Sequence, residues 1–194
     1  MKKIIALALV AFLALGVFTA CGKKNQTQPS EQAATQKAAQ EGYQSVKAVY
    51  KDKNVTGSLS LPAMGGIEED PEDYEGVGNN FLKIYGADEE TEYVYIGVDL
   101  GVTVCTEDYK NEALSGQREP DFEVKKMQIN GLEAAKYDES TDSSRRIEYF
   151  VYSTTKEGEI AEFSIYLEDN FMDFTDAQWQ QVVEAVESSA AIEG

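Results

Sequence analysis

The dipeptide Asn130-Gly131 constrains the fold of this chain more than any other short stretch of its sequence. It separates two segments, 122–129 and 132–137, that carry the residue types of β-strands. Asn-Gly readily takes positive φ at both positions, which gives the type I′ turn that matches the twist of two paired strands. The sequence therefore predicts an antiparallel hairpin at this point.

Further short strands are predicted on both sides of that hairpin. Residues 55–61 alternate apolar and polar side chains and end at Pro62, a pattern typical of a strand with one solvated face. A second hairpin is predicted over Lys156-Glu157-Gly158-Glu159. The predicted strands are 55–61, 81–85, 93–98, 102–105, 122–129, 132–137, 146–153 and 160–167, with a turn at 88–91.

The C-terminal segment carries the signals of an amphipathic helix. Thr175 is placed as the N-cap, Gln178 completes a capping box, and Phe174 is spaced to pack on Trp179. A helix with one apolar face has to lie against the sheet. That face consists of Trp179, Val182, Val183, Val186 and Ala190.

Three other segments give weaker local signals. Tyr43, Val46 and Tyr50 recur at three and four residues, which predicts a short amphipathic helix over 41–53. Residues 107–115 are expected to form a turn of helix. Glycines, a proline and acidic residues predict a long loop over 63–80.

The N-terminus has the features of an export signal. Lys2 and Lys3 precede an apolar run over residues 4–18, followed by small residues at 19–21. This arrangement predicts a secretory signal peptide. The run is shorter than the roughly 20 apolar residues that a membrane-spanning helix needs.

The end of this leader resembles the cleavage box of bacterial lipoproteins. The residues that carry the resemblance are Phe18-Thr19-Ala20-Cys21, followed by Gly22, with Phe18 where the family usually has leucine. The resemblance implies cleavage before Cys21 and diacylation of its thiol. The protein would then be anchored to the cell membrane and would face outside the cytoplasm. An ordinary secreted protein, cut after Ala20, is the alternative.

Composition divides the chain into three parts. Residues 1–20 are the predicted signal peptide, 21–40 form a polar segment that reads as a flexible tether, and 41–194 are long enough for one α+β domain. The net charge is −18, and Lys2, Lys3, Lys23 and Lys24 all precede the acidic remainder. Such a surface repels nucleic acid, so no nucleic-acid partner is expected.

The order of these elements resembles the PsbP and Mog-like fold, an antiparallel sheet flanked by helices. The fold class implied is α+β, with a cystatin-like or nuclear-transport-factor-like α+β sheet as the alternative. Proteins of that fold are typically binding modules without a shared catalytic site, which implies a protein or ligand partner. The resemblance departs at Ala63-Met64-Gly65, where such sequences often have Gly-Trp. It is carried by Leu59-Ser60-Leu61-Pro62, Asn130-Gly131-Leu132-Glu133-Ala134-Ala135, residues 149–152, and Phe174 with Trp179.

The chain contains no histidine, which removes several classes of enzyme. Ser-His-Asp and Cys-His nucleophile pairs and the usual catalytic zinc sites all need that residue. A hydrolase that uses carboxylates alone, acting on cell-envelope or environmental glycans, remains the alternative to a binding module. Cys105, flanked by acids, is expected to be an unreactive structural thiol. The tyrosines of the predicted strands, such as Tyr95 and Tyr149, are expected to pack within the sheet rather than line a ligand groove.

An acidic run inside the predicted loop offers one candidate site. Carboxylates at this density suit a weak extracellular Ca²⁺ site, for which dissociation constants are about 10⁻⁴ to 10⁻³ M. The run lacks the Asp-x-Asp-x-Asp-Gly spacing of a Ca²⁺ loop, so a solvated acidic loop is the competing interpretation. No other cofactor is expected. The residues are Glu68, Glu69, Asp70, Glu72, Asp73 and Glu75.

Overall fold

Antiparallel strands form most of the domain in the computed structural model, which describes residues 42–74, 77–86 and 94–194. The strands are β1 (Tyr43–Tyr50), β2 (Val55–Pro62), β3 (Gly66–Tyr74), β4 (Val77–Tyr85), β5 (Tyr95–Cys105), β6 (Val124–Ile129), β7 (Leu132–Asp138), β8 (Arg145–Thr154), β9 (Ile160–Asp169) and β10 (Ala191–Glu193). The α-helices are α1 (Glu107–Ser115) and α2 (Asp176–Ser189). Neither of these helices is long and apolar enough to cross a membrane.

The strands make two sheets. The larger has seven strands in the order β3-β4-β5-β9-β8-β7-β6, and the smaller has the order β1-β2-β10. Every pair in both sheets is antiparallel. The predicted antiparallel sheet is therefore confirmed, and the two helices are compatible with the predicted α+β class.

The main core lies on one face of the large sheet, which we call the inner face. Buried side chains of β5, β9 and β8 project from it, and β2 and α2 supply the opposing layer. Gly57 of β2 permits the close approach, because a Cβ atom there would lie 2.3 Å from the ring of Phe163 on β9. Ser60 and Ser189 join β2 to α2 through a 2.9 Å hydrogen bond from the Ser60 amide to the Ser189 hydroxyl.

The predicted C-terminal helix is confirmed in its start and its buried face. The Thr175 hydroxyl accepts a hydrogen bond from the Gln178 amide, and the Gln178 side chain accepts one from the Thr175 amide, which completes the capping box. All five residues of the predicted stripe are buried, and Phe174 is buried with them.

Both predicted hairpins are confirmed. Asn130 and Gly131 have φ values of 50° and 80°, as a type I′ turn requires. The Asn130 side chain also donates a 2.9 Å hydrogen bond to the carbonyl oxygen of Ala190, which ties this turn to the end of α2. The predicted helical segment at 107–115 is α1, capped by Thr106.

The predicted helix over 41–53 is wrong. Residues Tyr43–Tyr50 form β1, and only Lys51–Lys53 are helical, as a single 3₁₀ turn. The spacing of Tyr43, Val46 and Tyr50 suits either structure, but pairing with β2 along its whole length fixes the strand. Val46 and Ala48, two residues apart, are the side chains that this strand buries.

The predicted loop over 63–80 is also wrong, because β3 and the first half of β4 occupy it. Among the described residues, β3 lies at one edge of the large sheet, where proline and charged residues are tolerated. Gly78 was one of the glycines that predicted a loop, yet it lies in β4. It allows β1 to pass close to β4, because a Cβ atom at position 78 would lie 2.0 Å from the Val49 carbonyl oxygen. The predicted turn at 88–91 lies outside the described residues.

Candidate binding site

A cavity of about 290 Å³ opens at one end of the outer face of the large sheet, opposite the core. Its volume is near the lower end of the range for small-molecule sites, about 300 to 1,000 Å³. β4, β5, β9 and the loop that follows β9 contribute to it, and we call it the aromatic cavity. It is lined by Phe81, Val94, Tyr95, Gly97, Tyr166, Glu168, Asp169, Asn170, Phe171 and Asp173.

Strand register brings two of these residues, Phe81 and Tyr166, to one face of the sheet. Phe81 lies across from Asp99 on β5, and Asp99 lies across from Tyr166 on β9. Side chains of directly paired residues point to the same face. Gly97 supplies no side chain, and the Phe81 ring lies 3.7 Å from where a Cβ atom would be. The missing side chain leaves room between Phe81 and Glu168.

Tyr95 forms one rim of the cavity. Its side chain is 41 % exposed, and its ring meets the ring of Tyr85 edge-on at a centroid distance of 6.2 Å. The Lys83 ammonium lies 5.5 Å from the centroid of the Tyr95 ring. Tyr95 is therefore held in place by two neighbours while much of its surface faces solvent.

Phe171 forms the other rim and is 82 % exposed. The loop that carries Phe171 is nevertheless held by Arg145, which donates a 2.9 Å hydrogen bond to the Phe174 carbonyl oxygen. The Asp173 amide donates to the Asp169 carboxylate at 3.2 Å, and Met172 has a φ of 53°. The loop thus presents an exposed aromatic ring on a backbone with defined contacts.

The charges that line the aromatic cavity are negative. Glu168, Asp169 and Asp173 contribute carboxylates, and no lysine or arginine is present among the described lining residues. Asp169 is 1 % exposed, and burial raises its pKa against the opposing effects of backbone amides and Arg145. Burial, followed by the charge of Glu168, raises the pKa of Tyr166 to about 12.

The other part of the outer face is closed by α1 and the segment that follows it. Arg118 makes a bidentate ion pair with Glu162, at 2.8 and 3.1 Å, and lies between the rings of Tyr109 and Phe150. Cys105 is half-buried beside this cluster. Burial, and then the charge of Glu162, raise the pKa of the Cys105 thiol to about 11. This agrees with the expected unreactive thiol.

A second group of acids lies outside the aromatic cavity. Burial, followed by repulsion from Glu139 and Glu119, raises the pKa of Glu148 to about 7. Burial also raises the pKa of Glu139, with Glu119 contributing. Such shifts are found at catalytic carboxyl groups and in structural clusters alike.

Within the described residues, the acidic run predicted as a Ca²⁺ site lies in β3. Glu68 accepts a hydrogen bond from the Tyr85 hydroxyl at 2.6 Å, while Glu69 accepts from Gln44 and Asn80 at 3.0 and 2.9 Å. Adjacent strand residues point to opposite faces, so Glu69 is separated from Glu68 and Asp70. Within the described ranges no three acids or cysteines are grouped to hold a metal ion.

Several predicted site residues fall outside what the structure describes. The side chains of Glu72, Asp73 and Glu75 and the whole of Cys21 belong to this group. The cation site and the lipidation site therefore stay predictions.

The sequence predicted the environment of the buried tyrosines better than that of the exposed ones. Tyr149 and Tyr152 pack in the sheet as expected, whereas Tyr95 lines the cavity. The adjacent Phe171 and Met172, two apolar residues between a strand and a helix cap, were the available signal for this site. Single apolar residues on a surface are common, so that signal was weak.

No family model and no curated protein matches this chain. Two solved structures match parts of this chain. LpqN, involved in cell envelope biogenesis of Mycobacterium tuberculosis, is 11 % identical, with a TM-score of 0.48 over 77 % of this chain and 91 % of LpqN. A protein from Bacteroides thetaiotaomicron VPI-5482 is 14 % identical, with a TM-score of 0.38 over 66 % of this chain and 43 % of that protein.

Proposed function

We propose that this protein is a bacterial lipoprotein, tethered to the cell membrane through lipid on Cys21, whose domain binds a ligand or partner in the aromatic cavity without catalysis. One observation carries the binding role: Phe171 is 82 % exposed on a loop that a buried arginine fixes. Exposed aromatic rings with little freedom to lose are well suited to binding, because ordering them costs little entropy.

The tether and the fold assignment complete this proposal. The leader that ends at Cys21 supports export and lipidation, and the polar segment 21–40 supports a domain that stands away from the membrane. The antiparallel sheet with two helices suits a PsbP or Mog-like module, and it is also compatible with the two alternative α+β architectures. We place the domain outside the cytoplasmic membrane, with no nucleic-acid partner.

Photo-crosslinking in the living bacterium tests the binding role. Phe171→p-benzoylphenylalanine places a photoreactive benzophenone at the rim of the aromatic cavity, where the exposed position of Phe171 leaves room for it. The matched control is Phe122→p-benzoylphenylalanine, since Phe122 is also an exposed phenylalanine but does not line the cavity. We expect adducts, detected by mass, at position 171 only. Equal labelling at both positions, or none at 171, would contradict a binding site here.

A carboxylate-dependent glycan hydrolase is the second candidate, favoured by the raised pKa of Glu148. A general acid near neutral pH requires such a shift, together with a second, ionised carboxylate. Neither Glu148 nor Glu139 lines the aromatic cavity, which favours binding over hydrolysis. Release of reducing sugar from purified cell-wall glycan, abolished in Glu148→Gln, would establish the enzyme instead.

A further inference from the structure

We infer that the aromatic cavity binds a small organic ammonium cation, an inference that rests on the binding role proposed above. Four aromatic rings and two exposed or half-exposed carboxylates line one cavity, and this combination suits a positively charged group with apolar substituents. The four rings come from Phe81, Tyr95, Tyr166 and Phe171.

The rings provide the first part of the recognition. An ammonium group within about 6 Å of an aromatic centroid is attracted by the negative face of the ring. The molecule already shows this contact, because the Lys83 ammonium lies 5.5 Å from the Tyr95 centroid. Quaternary ammonium groups are the ligands that gain most from several rings, since their methyl groups also bury apolar surface.

The carboxylates provide the second part. Asp169 is committed to Arg145 and to the Asp173 amide, and Glu168 shares a hydrogen bond with the Tyr166 side chain, so Asp173 and the remaining oxygen of Glu168 are left to face a ligand. Arg146 is paired with Glu168 across the sheet, but its guanidinium donates to the Asn170 side chain at 3.1 Å and does not line the cavity. The net charge of −18 raises the local concentration of cations further.

The lining also argues against other small ligands. An anion would face three carboxylates with no lysine or arginine among the described lining residues. A neutral sugar needs donors as well as acceptors around its hydroxyl groups. Here the three carboxylates can only accept hydrogen bonds, and the Asn170 amide oxygen is taken by Arg146. A volume of about 290 Å³ fits a compact head group rather than an extended chain.

The test compares two molecules of the same shape that differ in charge. Full-length protein in detergent is titrated with choline and with 3,3-dimethyl-1-butanol, its uncharged isostere, at low ionic strength by ligand-observed NMR. Butylammonium serves as a primary-amine probe. We expect saturable choline binding and at least about tenfold weaker binding of the isostere, which corresponds to a desolvated cation–π contribution of roughly 1.4 kcal/mol.

Variants locate the binding. Tyr95→Leu and Phe171→Leu keep apolar bulk and remove a ring, and Glu168→Gln removes a charge. Each should weaken choline binding severalfold, whereas Phe122→Leu should leave it unchanged. The choline affinity of a variant is compared with that of the wild type only where the two proteins have the same melting temperature.

Three outcomes would contradict the proposal that the cavity binds an organic ammonium cation. They are equal affinity for choline and its isostere, no saturation by either ammonium probe at millimolar concentration, and choline binding that the cavity variants leave unchanged. If a neutral disaccharide bound in place of choline, the proposed ligand class would be wrong. Adducts at position 171 would still support the binding role. Loss of those adducts would remove the binding role itself.

Discussion

The guanidinium of Arg145 donates a 2.9 Å hydrogen bond to the carbonyl oxygen of Phe174, joining β8 to the loop that carries Phe171. The same guanidinium contacts Asp169 at 3.4 Å and Asp176, in the first turn of α2, at 2.7 Å. Arg145 is 8 % exposed and Asp169 is 1 % exposed, so this pair is shielded from water, whereas the Asp176 side chain is solvated. One buried cation therefore fixes the end of β9, the cavity rim and the start of α2.

Removal of this cation should damage both stability and the cavity. Arg145→Met leaves the Asp169 carboxylate buried without its partner, which should lower the free energy of unfolding by about 3 to 5 kcal/mol in urea denaturation. The double variant Arg145→Met/Asp169→Asn removes the orphaned charge and should recover part of that loss. A single variant as stable as wild type would show that Arg145 does not hold the loop.

The core between α2 and β2 gives a second prediction. Trp179→Ala should lower the free energy of unfolding by about 3 to 5 kcal/mol, because truncation of a large buried aromatic leaves a cavity. Trp179 is buried within the main core, whereas Gln180, its neighbour on the helix, is exposed. Gln180→Ala is the control and should change little. An unchanged denaturation midpoint for Trp179→Ala would mean that α2 does not pack as described.

Gly57 gives a third prediction, based on space rather than on conformation. Gly57→Ala places a methyl group 2.3 Å from the Phe163 ring and should cost about 1 to 3 kcal/mol. Gly97→Ala is the matched control, because its nearest neighbour lies 3.7 Å away. Combination with Phe163→Leu should relieve the clash. If the two alanine variants are equally stable, the close approach of β2 to β9 is not real.

Glu148 gives a pH dependence with a definite sign. Its folded-state pKa of about 7 exceeds the ordinary glutamate pKa of 4.5, so between these values the folded state binds the proton more tightly. The contribution of Glu148 to stability is therefore complete below pH 4.5 and lost as the pH rises through 7.

Glu148→Gln mimics the protonated side chain and should isolate this effect. We expect the variant to be more stable than wild type at pH 8 and the difference to shrink towards pH 4.5. The charges of Glu139, Glu119 and Glu162 also act on Glu148, so the quantity to measure is the difference between the two stability curves. A difference that is constant with pH would contradict the raised pKa.

Local signals predicted the elements that local chemistry fixes. Asn130-Gly131 specified its turn, and Thr175 with Gln178 specified the start of α2, because each rests on contacts within a few residues. β1 and β3 were missed because pairing with the next strand, which their own residue pattern does not show, fixes them. Tyr43–Tyr50 has a spacing that also suits a helix, and Gly66–Tyr74, with a proline and several acids, also suits a loop.

The aromatic cavity could not be predicted for the same reason. Phe81, Tyr166 and Phe171 come together only through the strand order β4-β5-β9, which no short sequence pattern specifies. Arg145 gave no sign of its role, since its acceptors lie 24 to 31 residues away in the sequence.

The proposed biological role depends on the tether to the membrane. Cys21 is the residue through which both acyl chains would attach, and two chains give stable anchoring where one is marginal. The decisive measurement is detergent phase partitioning of the protein from the bacterium that makes it, combined with incorporation of labelled palmitate. We predict that wild-type protein enters the detergent phase with label, and that Cys21→Ser is unlabelled and is either released or left uncleaved. Wild-type protein that stays in the aqueous phase without label would contradict the lipoprotein assignment.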